Sequence, residues 1–208
     1  MSSELRDRRI DLSGDVHGFF SGLLEHALEQ RGATQDGAVV AYLSGLLADY
    51  ARPDSLSAAT FERPFTLLLA EALESQHSER FERLRTLGDA VLYVRGFFSE
   101  HLATRGVALG YVSSVGARAY DGAASALRRG GHWETASPDV FGSLAASFDD
   151  FVALLEGVAD HLLASSNGAS EEGVLKLYER WQKTGSTEIE RALMLKGLVP
   201  LRGRPGLQ

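Results

Sequence analysis

The feature that most constrains this chain is the spacing of its apolar residues, which recur every three or four positions along almost its whole length. The first stripe consists of Val16, Phe20, Leu23, Ala27 and Leu28. A period of 3.6 residues is that of an amphipathic α-helix with one buried face. No run alternates apolar and polar residues for long enough to indicate a strand. The sequence therefore predicts an all-α fold.

Glycine, proline and small polar residues divide this pattern into segments. Ser13, Thr34 and Thr187 suit N-cap positions, Gly32 and Gly185 suit helix ends, and Pro64 fits a first helical position. The segments predicted to be helical are 14–31, 35–51, 64–76, 78–98, 108–128, 137–165, 171–184 and 188–196, with a short helix or turn between 99 and 106. Because the loops are short, we predict a bundle of seven or eight helices packed antiparallel.

Length and composition favour a single domain. The chain has 208 residues, of which 44% are hydrophobic and 24% charged, close to the averages of globular proteins. We predict a flexible N-terminus over 1–12, one helical domain over 13–198 and a flexible tail over 199–208. The polar segment 165–170 is a candidate boundary, but the residues after it are too few for a domain of their own.

Charge and cysteine content exclude several classes of function. A chain without cysteine has no disulfide, iron–sulfur cluster or thiol nucleophile. A net charge of −7 argues against binding the phosphate backbone of nucleic acids. The start of the chain lacks the apolar core of a signal peptide, and no apolar run approaches the roughly 20 residues of a membrane span. We therefore expect a cytoplasmic protein with no nucleic-acid partner and no membrane span.

Known catalytic spacings are incomplete in this chain. A helical di-iron site needs two Glu-x-x-His motifs, and only Glu74 and His77 provide one, so these two residues are an alternative metal site without its second half. The pair Asp149 and Asp150 lacks a third acid at Ala153. Walker, dinucleotide and Gly-x-Ser-x-Gly spacings are missing as well. We expect no cofactor and no catalytic residue, and we favour a non-enzymatic role.

The segment 88–98 is unusual because it is strongly apolar and yet contains two glycines and several polar residues. Gly88 and Gly96 each cost a helix about 1 kcal/mol relative to alanine. The segment 108–128 is similarly rich in small residues. We interpret both patterns as flat helix surfaces that allow these two helices to pack closely.

The polar residues of these two helices are the candidate site. Asp89 and Tyr93 share a helix face, and tyrosine hydroxyls reach buried carboxylates readily. We predict a buried network of Asp89, Tyr93 and Tyr120, with Arg118 as a possible member and His101 as a gate. Such a network either satisfies a buried charge for structural reasons or lines a small polar-aromatic ligand pocket.

Three functions stay open at this point. The first is a non-enzymatic interaction or regulatory protein that binds a protein partner or itself as a homodimer, since Leu195, Leu198, Val199 and Leu201 form an apolar end. The second is a small-molecule or cofactor binder, with or without enzymatic activity, with its pocket between the helices at 78–98 and 108–128. The third is a metal-dependent helical oxidase or hydrolase.

Overall fold

The computed structural model describes residues 4–52, 63–129, 139–166 and 170–200, with side chains from residue 16 onward except at His77 and Ser78. These residues form helices and no strand, which confirms the all-α fold. Within the described residues the helices are α1 Glu4–Gln30, α2 Gly37–Tyr50, α3 Phe65–Glu74, α4 His77–Thr104, α5 Leu109–Arg129, α6 Val140–Ala146, α7 Phe148–Ser166, α8 Glu171–Thr184 and α9 Thr187–Leu195. No helix within the described residues combines the length and the apolar character needed to cross a membrane.

The helix ends follow the expected chemistry, although two N-caps lie one or two residues from the predicted ones. Gly185 ends α8 in the left-handed conformation with φ of 66°, as its sequence position predicts. Asp36, and not Thr34, caps α2 by accepting a hydrogen bond from a first-turn N–H. Ser186, and not Thr187, caps α9. Both shifts exchange one short oxygen-bearing side chain for another close by.

The segment predicted as one helix over 137–165 forms two helices. Its first residues lie outside the described part of the chain, α6 is capped by the carboxylate of Asp139, and the helix breaks at Ser147, where φ is −121° and ψ is 37°. Asp149 and Asp150 then occupy the first turn of α7, a position where carboxylates stabilise a helix. The break is not visible in the apolar stripe, because Leu144 and Phe148 continue it across Ser147 and are both buried.

Two other helices are longer than predicted. The helix expected from residue 14 begins at Glu4, and Leu5, Arg6 and Arg8 are good helix formers. The helix predicted over 78–98 continues to Thr104 and absorbs the short element expected after it. The two parts of α4 meet at a kink at Phe98, where φ is −127° and ψ is 23°. The flexible ends of the chain stay predictions.

The chain divides into two compact units, Met1–Leu155 and Glu156–Gln208, and the division falls within α7. The second unit has a core of Leu177, Trp181, Ile189 and Leu193. The first unit contains the long helices α4 and α5 and buries a larger set of apolar side chains, among them Leu24, Leu43, Leu47, Leu84, Val91, Leu92, Ala119, Leu144 and Phe151. The expected single domain over 13–198 stays a prediction.

Helices α4 and α5 pack closely along their length. The contacting pairs are Leu84 with Gly122, Gly88 with Tyr120, Val91 with Gly116 and Arg95 with Ser113. Residue numbers rise along α4 as they fall along α5, so this pair of helices is antiparallel. A Cβ atom at Gly88 would lie only 2.7 Å from ring atoms of Tyr120, which confirms that this glycine provides a flat surface for a close neighbour. Antiparallel packing of the other helices stays a prediction.

Candidate functional site

A buried carboxylate on α4 connects three helices. Asp89 is only 8% exposed. The hydroxyl of Tyr120 on α5 donates to its Oδ1 atom at 2.8 Å, and the hydroxyl of Tyr42 on α2 donates to the same atom at 2.6 Å. Nη1 of Arg85, one turn earlier on α4, lies 3.6 Å from Oδ2. Phe141 of α6 contacts both tyrosine rings, so the charged centre is enclosed by aromatic side chains.

Burial dominates the electrostatics of this centre. It raises the pKa of Asp89, while the hydrogen bonds from Tyr42 and Tyr120 and the charge of Arg85 act in the opposite direction. Burial, together with the nearby Asp89 charge, also raises the pKa of both tyrosines. Each hydroxyl therefore keeps its proton and acts as a donor. The carboxylate is satisfied by groups of the protein itself, as buried polar groups usually are.

The structure brings together only part of the predicted network. Asp89 and Tyr120 are hydrogen-bonded as expected. Tyr93 lies on the same face of α4 as Asp89, but its ring stacks on Tyr50 with centroids 4.5 Å apart, and it makes no hydrogen bond to Asp89. Arg118 is exposed. It lies two residues from Tyr120, and residues two apart point to different sides of a helix.

Two members of the network are absent from the prediction. Arg85 stands four residues before Asp89, and this is the spacing at which opposite charges meet on a helix, so the sequence did contain a signal for it. Tyr42 lies 47 residues before Asp89 in the chain, within the apolar pattern of α2. Only the packing of α2 against α4 reveals this contact.

A separate cavity of about 750 Å³ lies beside the start of α3, the C-terminal part of α4 and the N-terminal part of α5. The described residues that line it are Arg63, Pro64, Phe65, Thr66, Val94, Phe98, His101, Leu102, Arg105, Val107, Tyr111, Val112 and Val115. Its walls are mainly apolar. Of the predicted site residues, His101 lies here, while Asp89, Tyr93, Tyr120 and Arg118 do not.

Two aromatic residues at this cavity are unusually exposed. Phe98, at the kink of α4, is 41% exposed, and Tyr111, in the first turn of α5, is 56% exposed. Val94, Val112 and Val115 are buried behind them. A concave apolar space bordered by exposed aromatic groups is typical of a surface that binds another molecule.

Positively charged side chains also line the cavity, and no aspartate or glutamate is among its described lining residues. Nη2 of Arg63 forms an ion pair with Oε1 of Glu71 at 2.5 Å, which compensates its charge. Arg105 is exposed and forms no ion pair with any residue of the described ranges. His101, one turn before it, is exposed as well.

A third polar feature is a buried arginine that pairs with no carboxylate among the described residues. Arg95 is 8% exposed. Its Nε donates to Oγ of Ser113 on α5 at 3.1 Å, and its Nη1 donates to Oγ of Ser99 at 3.1 Å. Within the part of the chain that the structure describes, no carboxylate pairs with it. Serine hydroxyls thus solvate a guanidinium that most proteins would pair with an acid.

The alternative metal residues do not share a helix. α3 ends at Glu74 and α4 begins at His77, and Ser75 and Gln76 between them have extended backbone angles. A Glu-x-x-His pair binds a metal because both side chains project from one helix face. That relationship is absent here because the chain turns between the two residues.

The Asp89 network and the cavity suit different tasks. The network is a closed set of donors around one carboxylate, and it is suited to holding three helices together. The cavity is an apolar space, and at its edge lies a guanidinium that no described residue pairs, so it is suited to holding a ligand. Comparison of the chain with protein-family models, with curated proteins and with solved structures finds no match.

Proposed function

We propose that the protein is a non-catalytic binder of an apolar small molecule, which occupies the cavity beside α3, α4 and α5. The observation that carries this proposal is the cavity itself, with its apolar walls and the exposed rings of Phe98 and Tyr111. Its volume of about 750 Å³ falls within the range of roughly 300–1,000 Å³ that is usual for ligand sites. The proposal keeps a ligand site at α4 and α5 but assigns it to residues other than Asp89, Tyr93 and Tyr120.

The test uses Nile red, a neutral dye that fluoresces in apolar surroundings. The wild-type protein should bind it saturably with one site per chain. Thr66 is an exposed lining residue, so Thr66→Trp places an indole in the cavity without removing a core side chain. Thr184→Trp is the matched control, because Thr184 is exposed near the end of α8 and does not line the cavity.

We expect Thr66→Trp to weaken Nile red binding at least about tenfold, a loss of roughly 1.4 kcal/mol, and Thr184→Trp to leave it unchanged. Circular dichroism of both variants checks that the helices are intact. Absence of saturable binding by the wild type would overturn the proposal. Equal binding by the wild type and Thr66→Trp would place the dye elsewhere and overturn it as well.

A second candidate function is self-association or binding of a protein partner through an apolar surface at the end of α9. Leu195 is 85% exposed and Val199 is 74% exposed, and Met194 and Leu198 are exposed beside them in the sequence. Large apolar side chains grouped on a surface mark interaction sites. These exposures support the regulatory or homodimeric role expected from the sequence.

Light scattering after size exclusion tests this second candidate. A homodimer in the wild type should become a monomer in Leu195→Glu, because burying the new carboxylate at an interface is costly. Leu175→Glu is the matched control, since Leu175 is also an exposed leucine but lies on α8. A monomeric wild type at all concentrations would remove self-association and leave the small-molecule proposal intact.

A further inference from the structure

The charge of the cavity is opposite to that of the whole chain. The protein has a net charge of −7, yet the described residues that line the cavity include Arg63, His101 and Arg105 and no acid. Arg63 is held by Glu71, so its charge is compensated within the protein. Arg105 has no such partner in the described part of the chain. A positive charge that no described residue compensates thus stands at one edge of an apolar space.

The position of Arg105 makes the cavity amphipathic. Arg105 is the C-cap residue of α4 and is exposed. His101 lies one helical turn before it, so both side chains belong to the same edge. Val94, Leu102 and Val112 are buried and form the apolar wall. A molecule that fills this space would place an apolar body against the valines and leucine and a polar end near Arg105.

We propose, resting on the function proposed above, that the ligand is a free single-chain amphiphile with one anionic head group, of the fatty-acid type. Its chain lies along the apolar wall, and its carboxylate accepts hydrogen bonds from the guanidinium of Arg105. A planar guanidinium matches a carboxylate with two parallel hydrogen bonds. Arg63 keeps its pairing with Glu71 and does not bind the head group.

The experiment compares decanoate with decan-1-ol by isothermal titration calorimetry. The two molecules share a chain length and differ in the charge of the head group. Arg105→Gln removes the cation and should disturb the fold little, because Arg105 is exposed and its side chain makes no hydrogen bond within the described residues. Arg118→Gln is the matched control, since Arg118 is exposed on α5 and does not line the cavity.

We expect decanoate to bind the wild type about five- to twentyfold more tightly than decan-1-ol, the scale of one charge-assisted hydrogen-bonded contact near the surface. Arg105→Gln should reduce this preference to about twofold or less, and Arg118→Gln should retain it. Equal affinity of the wild type for both ligands would overturn the proposal that the ligand has an anionic head group, while the proposal of an apolar site would stand. A preference that persists in Arg105→Gln would overturn the assignment to Arg105. Binding of neither ligand, together with failure of Nile red, would overturn the site as a whole.

Discussion

The hydroxyl of Tyr120 donates to the Oδ1 atom of Asp89 at 2.8 Å, and both residues are buried where α5 packs against α4. The ring of Tyr120 also covers Gly88, the residue just before Asp89. One side chain therefore fills the space above a glycine and satisfies the carboxylate beside it. The same side chain therefore provides both the close packing and the hydrogen bond at this point. Substitutions can remove the hydrogen bond or disturb the packing one at a time.

Tyr120→Phe removes the hydroxyl and keeps the ring over Gly88. We expect the free energy of unfolding to fall by about 1.5–3 kcal/mol, because a hydrogen bond to a buried charged group is lost. Urea denaturation followed by circular dichroism measures the change. Tyr111→Phe is the control, since Tyr111 is exposed on the same helix and should change stability by less than about 0.5 kcal/mol. A similar loss in both variants would contradict the stabilising role of the network.

Gly88→Ala tests the close approach of the helices. Alanine is favoured over glycine in a helix by about 1 kcal/mol, but here its Cβ would lie 2.7 Å from the fully buried ring of Tyr120. We expect a net destabilisation of roughly 1–3 kcal/mol. Gly22→Ala in α1 should stabilise the protein instead, because no atom lies within 4 Å of its added Cβ. In thermal denaturation, Gly88→Ala should lower the melting temperature and Gly22→Ala should raise it. A higher melting temperature in both variants would contradict the close packing of Tyr120 on Gly88.

The raised pKa of Asp89 predicts a pH dependence of stability. The folded protein binds a proton at this carboxyl more readily than the unfolded chain does. From the ordinary aspartate pKa of about 3.9 up to the raised value, the free energy of unfolding therefore falls as the pH rises. Asp89→Asn does not titrate in this window. We expect the wild type to gain stability relative to Asp89→Asn as the pH is lowered from neutral toward about 4, measured by urea denaturation at each pH. A relative loss on acidification would mean that the hydrogen bonds from Tyr42 and Tyr120 outweigh burial.

Arg95 and Arg180 have different partners, so replacing each with methionine should affect the free energy of unfolding differently. Arg95 is buried with serine hydroxyls as its partners, so Arg95→Met removes a desolvated charge and should leave the free energy of unfolding unchanged or raise it by up to roughly 2 kcal/mol. Nε of Arg180 lies 3.0 Å from Oδ1 of the buried Asp160, so Arg180→Met leaves that acid unpaired and should cost about 3 kcal/mol. Equal destabilisation by both substitutions, in chemical denaturation, would contradict this difference.

Most of the helical structure follows from local signals that the sequence carries. The apolar period identifies α2, α5, α8 and α9 nearly to their ends, because each buries one face. The break at Ser147 escapes this reasoning, since the buried residues Leu144 and Phe148 maintain the period across it. The kink at Phe98 lies at the predicted end of the helix over 78–98, where the short helix or turn expected between 99 and 106 begins.

The site was less predictable because its contacts lie between helices. The pairing of Asp89 with Tyr120 could be anticipated from polar residues on two small-residue helices. The contact of Tyr42 with the same carboxylate depends on how α2 packs, and no spacing within the chain encodes it. The cavity arises where three helices leave a space, and of its lining residues only His101 was a predicted site residue.

Amide chemical-shift mapping by NMR during a titration with decanoate tests the location of the ligand most directly. We predict that the perturbed amides concentrate in residues 63–66, 94–105 and 107–115, which contain the lining of the cavity. Residues around Tyr42 and those of α9 should be unaffected. Perturbations confined to those other regions, or none at ligand concentrations far above the protein, would contradict a ligand site at α3, α4 and α5.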